Sequence, residues 1–228
     1  MAYAWRMCGR FTQRISSAEM ARIFDAADHA AMPGQRYNVA PTQDVAAVVG
    51  SEDGRIIERL HWGLVPPWAD DPSASGRLIN ARAETIATSP VYRGSFRSKR
   101  CLIPADGFYE WRRLGDRRQP FYIRPTGGAI VALAGLWASW RDRSGDVPPL
   151  RSCSIVTTRA NEMMASLHAR MPVIVAPDDW DLWLDPATDT AELLALLRPF
   201  DGDLVAGPVS ALVNNPRNDQ PELIEPLG

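Results

Sequence analysis

Val45-Ala46-Ala47-Val48-Val49 and Arg55-Ile56-Ile57-Glu58-Arg59-Leu60-His61-Trp62, joined through Gly50-Ser51-Glu52-Asp53-Gly54, form the stretch that decides the fold class. Both runs are β-like, and Asp53-Gly54 supplies the positive-φ turn whose twist suits an antiparallel pair, so a β-hairpin is predicted. Outward from it, Pro66-Pro67-Trp68 and the Asp/Ser/Gly-rich stretch to Gly76 can continue neither element, which predicts an exposed loop. Further strands are predicted over 100–103, 108–112, 120–124, 129–137, 151–157 and 172–175. On the N-terminal side, Ser16-Ser17-Ala18-Glu19 reads as a capping box, with Met20, Ile23 and Phe24 at helical spacing. That predicts a helix to about residue 27, preceded by a short strand. Helices are also expected over 160–167, over 177–184 with a proline in the first turn, and over 188–197 with its Leu193, Leu194, Leu197 stripe. Many short strands with interspersed helices predict an α+β fold, with a largely antiparallel, barrel-like sheet and several flanking helices. The polar segment 141–149 is bounded by β-like sequence on both sides, so it reads as a loop rather than a linker, and one domain is expected.

Of the 228 residues, 46% are hydrophobic and 23% charged, ordinary values for a soluble globular chain, and no apolar run approaches the ~20 residues needed to cross a membrane. Met1-Ala2-Tyr3-Ala4-Trp5-Arg6 has neither a secretory apolar run nor transit-peptide character, so a cytoplasmic protein is expected. Cys8, Cys101 and Cys153 are an odd, widely spaced set without a CxxC pair; they read as free thiols, with neither a disulfide framework nor a metal site. A net charge of -2 gives no bulk attraction for phosphate, so nucleic-acid binding would need a local basic groove. Lys99 is the single lysine, so a Schiff-base mechanism has almost no lysine to use.

Four runs are odder than a core requires: Met7-Cys8-Gly9-Arg10-Phe11, Leu78-Ile79-Asn80-Ala81-Arg82-Ala83-Glu84-Thr85, Asp106-Gly107-Phe108-Tyr109-Glu110-Trp111 and Leu167-His168-Ala169-Arg170-Met171-Pro172. Together they supply a thiol, an amide, a carboxylate and an imidazole. In a strand, Phe108 and Glu110 share one face and Tyr109 and Trp111 the other. Partial burial there would raise the Glu110 pKa toward the range useful for acid–base work, whereas an edge strand would leave it in water. His168, at the end of a short helix, is either a proton shuttle or a helix-terminal histidine favoured by the dipole. Arg82 and Arg170 either hold phosphates or are solvated surface charges. Trp68 either stacks on a base or folds back on the sheet.

A lone Cys8 is more often a buried hydrophobe than a nucleophile. Met7-Cys8, however, looks like an initiator methionine before a small residue, and removal through Met7 would leave an α-amine beside a thiol. With a pKa of about 7.7 to 8, that amine is roughly a third neutral at pH 7.5, against about 0.1% for a lysine near 10.4. It is therefore the better imine former by roughly two hundredfold. The neighbouring thiol, titrating near ~8.5, can close on the imine carbon to give a five-membered thiazolidine.

These runs, in this order, resemble the SOS-response-associated peptidase (SRAP) family, whose members find abasic sites in single-stranded DNA and crosslink to them. The resemblance spans nearly the whole chain and includes Gly34-Gln35-Arg36-Tyr37-Asn38-Val39-Ala40-Pro41-Thr42, Trp62-Gly63-Leu64-Val65-Pro66, Ile155-Val156-Thr157-Thr158, and a stretch from Val213-Asn214 through Asn218-Asp219 to Pro221-Glu222-Leu223-Ile224. It implies a single domain over residues 7–228, with 1–6 an extra N-terminal segment absent from or removed in the mature protein. Cys8 takes the place of the N-terminal nucleophile, Asn80 of the amide beside the thiazolidine, Glu110 of the acid–base carboxylate, and His168 of the imidazole that opens the sugar. Arg10, Asn38, Pro41, Trp68, Arg82, Thr157 and Arg170 match positions that hold and kink the strand. Where some relatives carry two tryptophans, this chain has Trp68-Ala69, so one wedge is missing.

The implied activity is covalent capture of abasic sites as a thiazolidine DNA–protein crosslink after removal of residues 1–7, with a β-elimination lyase side activity and a role in the DNA damage response. No metal or other cofactor is implied. The expected partner is single-stranded DNA containing abasic sites; the protein is expected to be a monomer, nucleoid-associated when bound to DNA. The pattern begins at Met-Cys, so translation is expected to start at Met7, or self-cleavage to occur before Cys8. A cysteine peptidase or amidase, with Cys8 attacking a carbonyl and His168 as base, is the rival; it would not need a free α-amine. A third reading, a non-covalent DNA-binding module using Trp68 and the arginines, predicts that Cys8→Ala leaves function intact.

Overall fold

The computed structural model describes residues 9–32 and 34–227. The chain begins with β1 (Phe11–Gln13), α1 (Ser17–Phe24), β2 (Ala26–Asp28), β3 (Arg36–Val39), β4 (Asp44–Ser51) and β5 (Gly54–Trp62). It continues with β6 (Asn80–Arg82), α2 (Arg93–Ser98), β7 (Arg100–Ala105), β8 (Gly107–Leu114), β9 (Arg117–Pro125), β10 (Val131–Trp140) and β11 (Leu150–Arg159). Last come α3 (Glu162–Ala165), β12 (Arg170–Pro172), β13 (Ile174–Val175), α4 (Trp180–Leu184), α5 (Thr190–Leu196) and β14 (Leu204–Pro208).

The predicted hairpin is the nucleus of a closed sheet. β4 pairs β5 from Asp44↔His61 to Ser51↔Gly54, β7 adds to β4, β10 to β7 and β11 to β10, all antiparallel. β11 then returns to β5 in parallel at Ser152↔His61 and Cys153↔Trp62, which closes a five-stranded barrel. Alternate residues of these strands serve different cores: Ala46 and Val48 pack with Met20, Phe24, Phe96 and Trp183 of the helices, while Val45, Ala47 and Val49 pack with Cys153 and Ile155. A strand buried on both faces has no polar alternation, which is why Val45–Val49 reads as a continuous apolar run. A second, five-stranded sheet, ordered β14-β9-β8-β1-β3, contributes Phe11, Phe108, Phe121 and Ile123 to the latter core. The α+β, largely antiparallel, barrel-like architecture is thus present, with parallel pairs at β5–β11, β6–β11 and β2–β5.

Several boundaries differ from expectation for local reasons. Ser16 caps α1, but the helix stops at Phe24 because Asp25 turns left-handed at φ 46 and the next three residues join β5. The predicted loop 66–76 is partly structured: Pro72–Arg77 forms a 3-10 turn capped by Asp71, and the Ala69 carbonyl accepts from Trp140 Nε1–H at 2.8 Å. Gly63 starts that excursion at φ 137, where a Cβ would lie 2.5 Å from the Ser75 carbonyl oxygen. The strand expected over 172–175 changes partner midway, β12 on β11 and β13 on β10, because Val173 donates to Val156 O while its own carbonyl accepts from Ala134 N–H. The helix expected over 160–167 is only α3, capped by Asn161. No described helix is long and apolar enough to cross a membrane.

Candidate functional site

Cys8 and residues 1–6 lie outside the described residues, so the site is built from Gly9 onward. β1 pairs β8 with Phe11↔Phe108 and Thr12↔Gly107, and the Arg10 carbonyl accepts from Tyr109 N–H at 3.0 Å. Continuing that register by one residue puts Gly9 level with Glu110. Glu110 is 3% exposed, so the water-facing reading of this carboxylate is excluded. It shares a strand face with Phe108 and stands opposite Phe121, both in the apolar core between the sheet and the barrel, while Tyr109 packs on the opposite side with Tyr122 and Trp111.

Trp62 joins this strand to the next piece of the site. It is fully buried, its ring meets Phe11 edge-on at 5.1 Å, and its Nε1–H donates to the Ile79 carbonyl at 3.0 Å. Asn80 is therefore presented at the start of β6, which lies parallel to β11 with Ile155↔Asn80 and Thr157↔Arg82; the Asn80 carbonyl accepts from Tyr92 Oη–H at 2.9 Å. Trp62 O also accepts from Thr42 N–H at 2.8 Å, which seats the half-buried Pro41 turn on the same tryptophan.

The far side of β11 carries the remaining polar group. Thr157 is buried, and Arg170 on β12 donates from Nη2 to the Thr157 carbonyl at 2.6 Å. Arg170 is also paired bidentately with Glu84, at 2.8 and 2.9 Å, the two side chains being 16% and 51% exposed. This hydrogen-bonded guanidinium holds the Glu84 carboxyl below its ordinary pKa, so Arg170 is not the solvated lone charge of the alternative reading. His168 follows α3, its Nδ1 accepting from Arg170 N–H at 3.1 Å; the neutral ring therefore carries its proton on Nε2. Arg82 is exposed on β6. Residues adjacent to each group, Ile79, Leu167 and Met171, pack in the same core as Phe108, which brings the runs around Asn80, Glu110, His168 and Arg170 to one region.

Arg10 and Asn38 are bonded to each other and to the C-terminal segment. Arg10 Nη1 donates to Asn38 Oδ1 at 2.9 Å and to Val213 O at 2.6 Å, and Nη2 to Asn214 O at 3.3 Å; burial lowers its pKa. Asn38 Nδ2 donates to the carbonyls of Val213, Asn215 and Asn218 at 3.2, 3.1 and 2.8 Å. Both side chains hold the C-terminal segment against the strand that leads to Gly9. Trp68 does not fold back on the sheet: it is 66% exposed on its loop. Cys101 and Cys153 are buried free thiols whose pKa values burial raises, so neither supplies a thiolate. Among the described residues, no group of His, Cys, Asp and Glu side chains is arranged to hold a metal ion.

Sequence reasoning did not single out Trp62 or Glu84, although both stand in quoted runs; an acid two positions from Arg82 was the available signal for Glu84. The chain is 42% identical to the abasic site processing protein YoqW of Bacillus subtilis over 225 residues, 96% of this chain and 99% of that protein. It is 29% identical to the abasic site processing protein YedK of Escherichia coli over 229 residues, 97% and 100% of the two chains. A crystal structure of a protein from Bacteroides thetaiotaomicron superposes with a TM-score of 0.86 at 25% identity, covering 96% of this chain and all of that one. Residues 7–216 match the family described as SOS response associated peptidase (SRAP), and the chain belongs to that family.

Proposed function

We propose that this protein processes abasic sites in single-stranded DNA by forming a covalent crosslink through Cys8 as the N-terminal residue. The observation that supports the reading is the β1–β8 register, which runs up to Arg10 and Tyr109, the neighbours of Gly9 and of the buried Glu110 carboxylate. Homology to proteins named for abasic site processing supports the substrate.

In the proposed reaction the Cys8 α-amine adds to the C1′ aldehyde of the ring-opened sugar, and the carbinolamine loses water to give an imine. The thiol then adds to the imine carbon, its proton passing to nitrogen, and the thiazolidine closes with one water released overall. Glu110 moves protons at the amine and the departing hydroxyl; His168, donating from Nε2, assists ring opening of the sugar. Asn80 steadies the adduct, and Trp68 with Arg82 and Arg170 holds the strand. The imine also acidifies the neighbouring C2′ proton, so β-elimination is the expected side reaction.

The test is an oligonucleotide bearing one abasic site, resolved under denaturing conditions. An adduct is expected with protein whose intact mass places Cys8 at the terminus, and none with Cys8→Ala. Acetylating the α-amine while leaving the thiol free should also abolish it. An adduct that survives either change would refute the mechanism, and retained hydrolysis of a peptide after amine blocking would favour the peptidase reading.

A further inference from the structure

The hairpin that carries Glu110 continues beyond its sheet. β14 pairs β9 only from Phe121 to Pro125, and β1 meets β8 no further along than Tyr109, so residues 112–114 and 117–119 form a two-stranded ribbon in register Arg112↔Gln119, Arg113↔Arg118, Leu114↔Arg117. Arg112, Arg113, Arg117 and Arg118 are all exposed, with Asp116 the single carboxylate among residues 112–118 of a chain whose net charge is -2. Arg112, Arg113 and Arg117 make no ion pair among the described residues. Arg113 stands directly across from Arg118, so the ribbon concentrates like charge at its end.

Strand alternation sorts the four cations. Arg112 and Arg117 lie on the face of Glu110, while Arg113 and Arg118 lie on the face of Tyr109 and Trp111. The Arg112 guanidinium sits 4.7 Å over the ring of Phe121, which is the residue directly across from Glu110. At about 3.3 Å per residue, the ribbon places cations from about 7 to 13 Å beyond Glu110 on its own face. We propose that Arg112 and Arg117 hold two backbone phosphates of the single strand on one side of the abasic site, making this face of the ribbon a further DNA contact. The proposal rests on the reading of the site given above, which supplies the polyanion; the position and sign of the charge supply the contact.

The experiment compares Arg112→Gln/Arg117→Gln with Arg113→Gln/Arg118→Gln, two double variants of identical net charge, in binding an undamaged single-stranded oligonucleotide across a salt series. Each phosphate contact to a single strand contributes about 0.7 to the slope of log affinity against log salt. The first variant should therefore lose about 1.4 of slope, and the wild type's fall in affinity between about 50 and about 200 mM salt should exceed the variant's by about sevenfold. The second variant should retain the wild-type slope to within ~0.5. Equal losses in the two variants, or a larger loss in the second, would show a diffuse field rather than a contact and overturn the proposal, as would no loss in either. Arg112→Lys/Arg117→Lys keeps both charges and should restore the slope, which separates the contact from damage to the hairpin. Should wild-type protein form no adduct on abasic DNA while the face-specific loss persists, the crosslinking reading fails and the ribbon contact stands.

Discussion

Asn38→Ala removes the side chain that ties the C-terminal segment to the strand leading to Gly9, and its cost can be worked bond by bond. Asn38 is 1% exposed and is engaged through both amide atoms, accepting from Arg10 and donating to the carbonyls of Val213, Asn215 and Asn218. After truncation the Val213 carbonyl keeps its bond from Arg10 and the Asn215 carbonyl its bond from Asn218 N–H, whereas the Asn218 carbonyl loses the bond from Asn38. At ~1 kcal/mol net per bond, and more where a buried group is left unpaired, the loss comes to about 3 kcal/mol. For a domain of this size that corresponds to a fall in Tm of about 6 to 12 °C. Urea denaturation with a shared m-value measures the free energy, and calorimetry measures the Tm. Arg10→Ala should cost a similar amount, and the double variant less than the sum of the two, because each side chain supports the other. A destabilisation by Asn38→Ala below ~0.5 kcal/mol, or strict additivity with Arg10→Ala, would refute the clamp.

Two other perturbations test separate parts of the structure. Because Arg170 lowers the folded-state pKa of Glu84, the stability this carboxylate adds is fully present above its unfolded value of about 4.3 and is lost as pH falls through the lower folded value. Glu84→Gln should therefore be destabilising at pH 7, by ~1 kcal/mol or less since the side chain is half exposed, and equal to wild type in acid; a difference that grows on acidification would sink the assignment. Gly135→Ala would set a Cβ 2.6 Å from the buried Cys101 Sγ and should cost about 1 to 3 kcal/mol in urea denaturation. Adding Cys101→Ala should recover ~1 kcal/mol or more, and an absence of coupling would show that the contact is not what excludes a side chain.

What the sequence discloses is the part of the structure encoded locally. The β4–β5 turn, the Ser16 cap and the proline start of the 177–184 segment all rest on chemistry within a few residues, and all are present. α2 escapes notice because Tyr92 offers no side-chain cap bond, and β6 because three residues cannot show a period. The parallel β5–β11 pairing that closes the barrel joins strands some ninety residues apart, and nothing in either strand names its partner. The same limit applies to the site. Glu110 is buried because β1 and β9 flank its strand, and Arg170 is paired with Glu84, which the fold brings to it from 86 residues away in sequence. The motif around Val213 to Asp219 is legible as a pattern, but only the fold shows Arg10 and Asn38 bonded to it.

The clamp also imposes an order of assembly. Arg10 reaches a carbonyl 203 positions further along, among the widest loop closures a chain of this length can make. At ribosomal speeds of about 5 to 20 residues per second, on the order of 10 to 40 s separate the two partners during synthesis. Until the later one emerges, the strand beside Glu110 lacks its brace. The brace on the strand beside Glu110 is therefore completed only once the segment around Val213 has been made and has folded back onto Arg10.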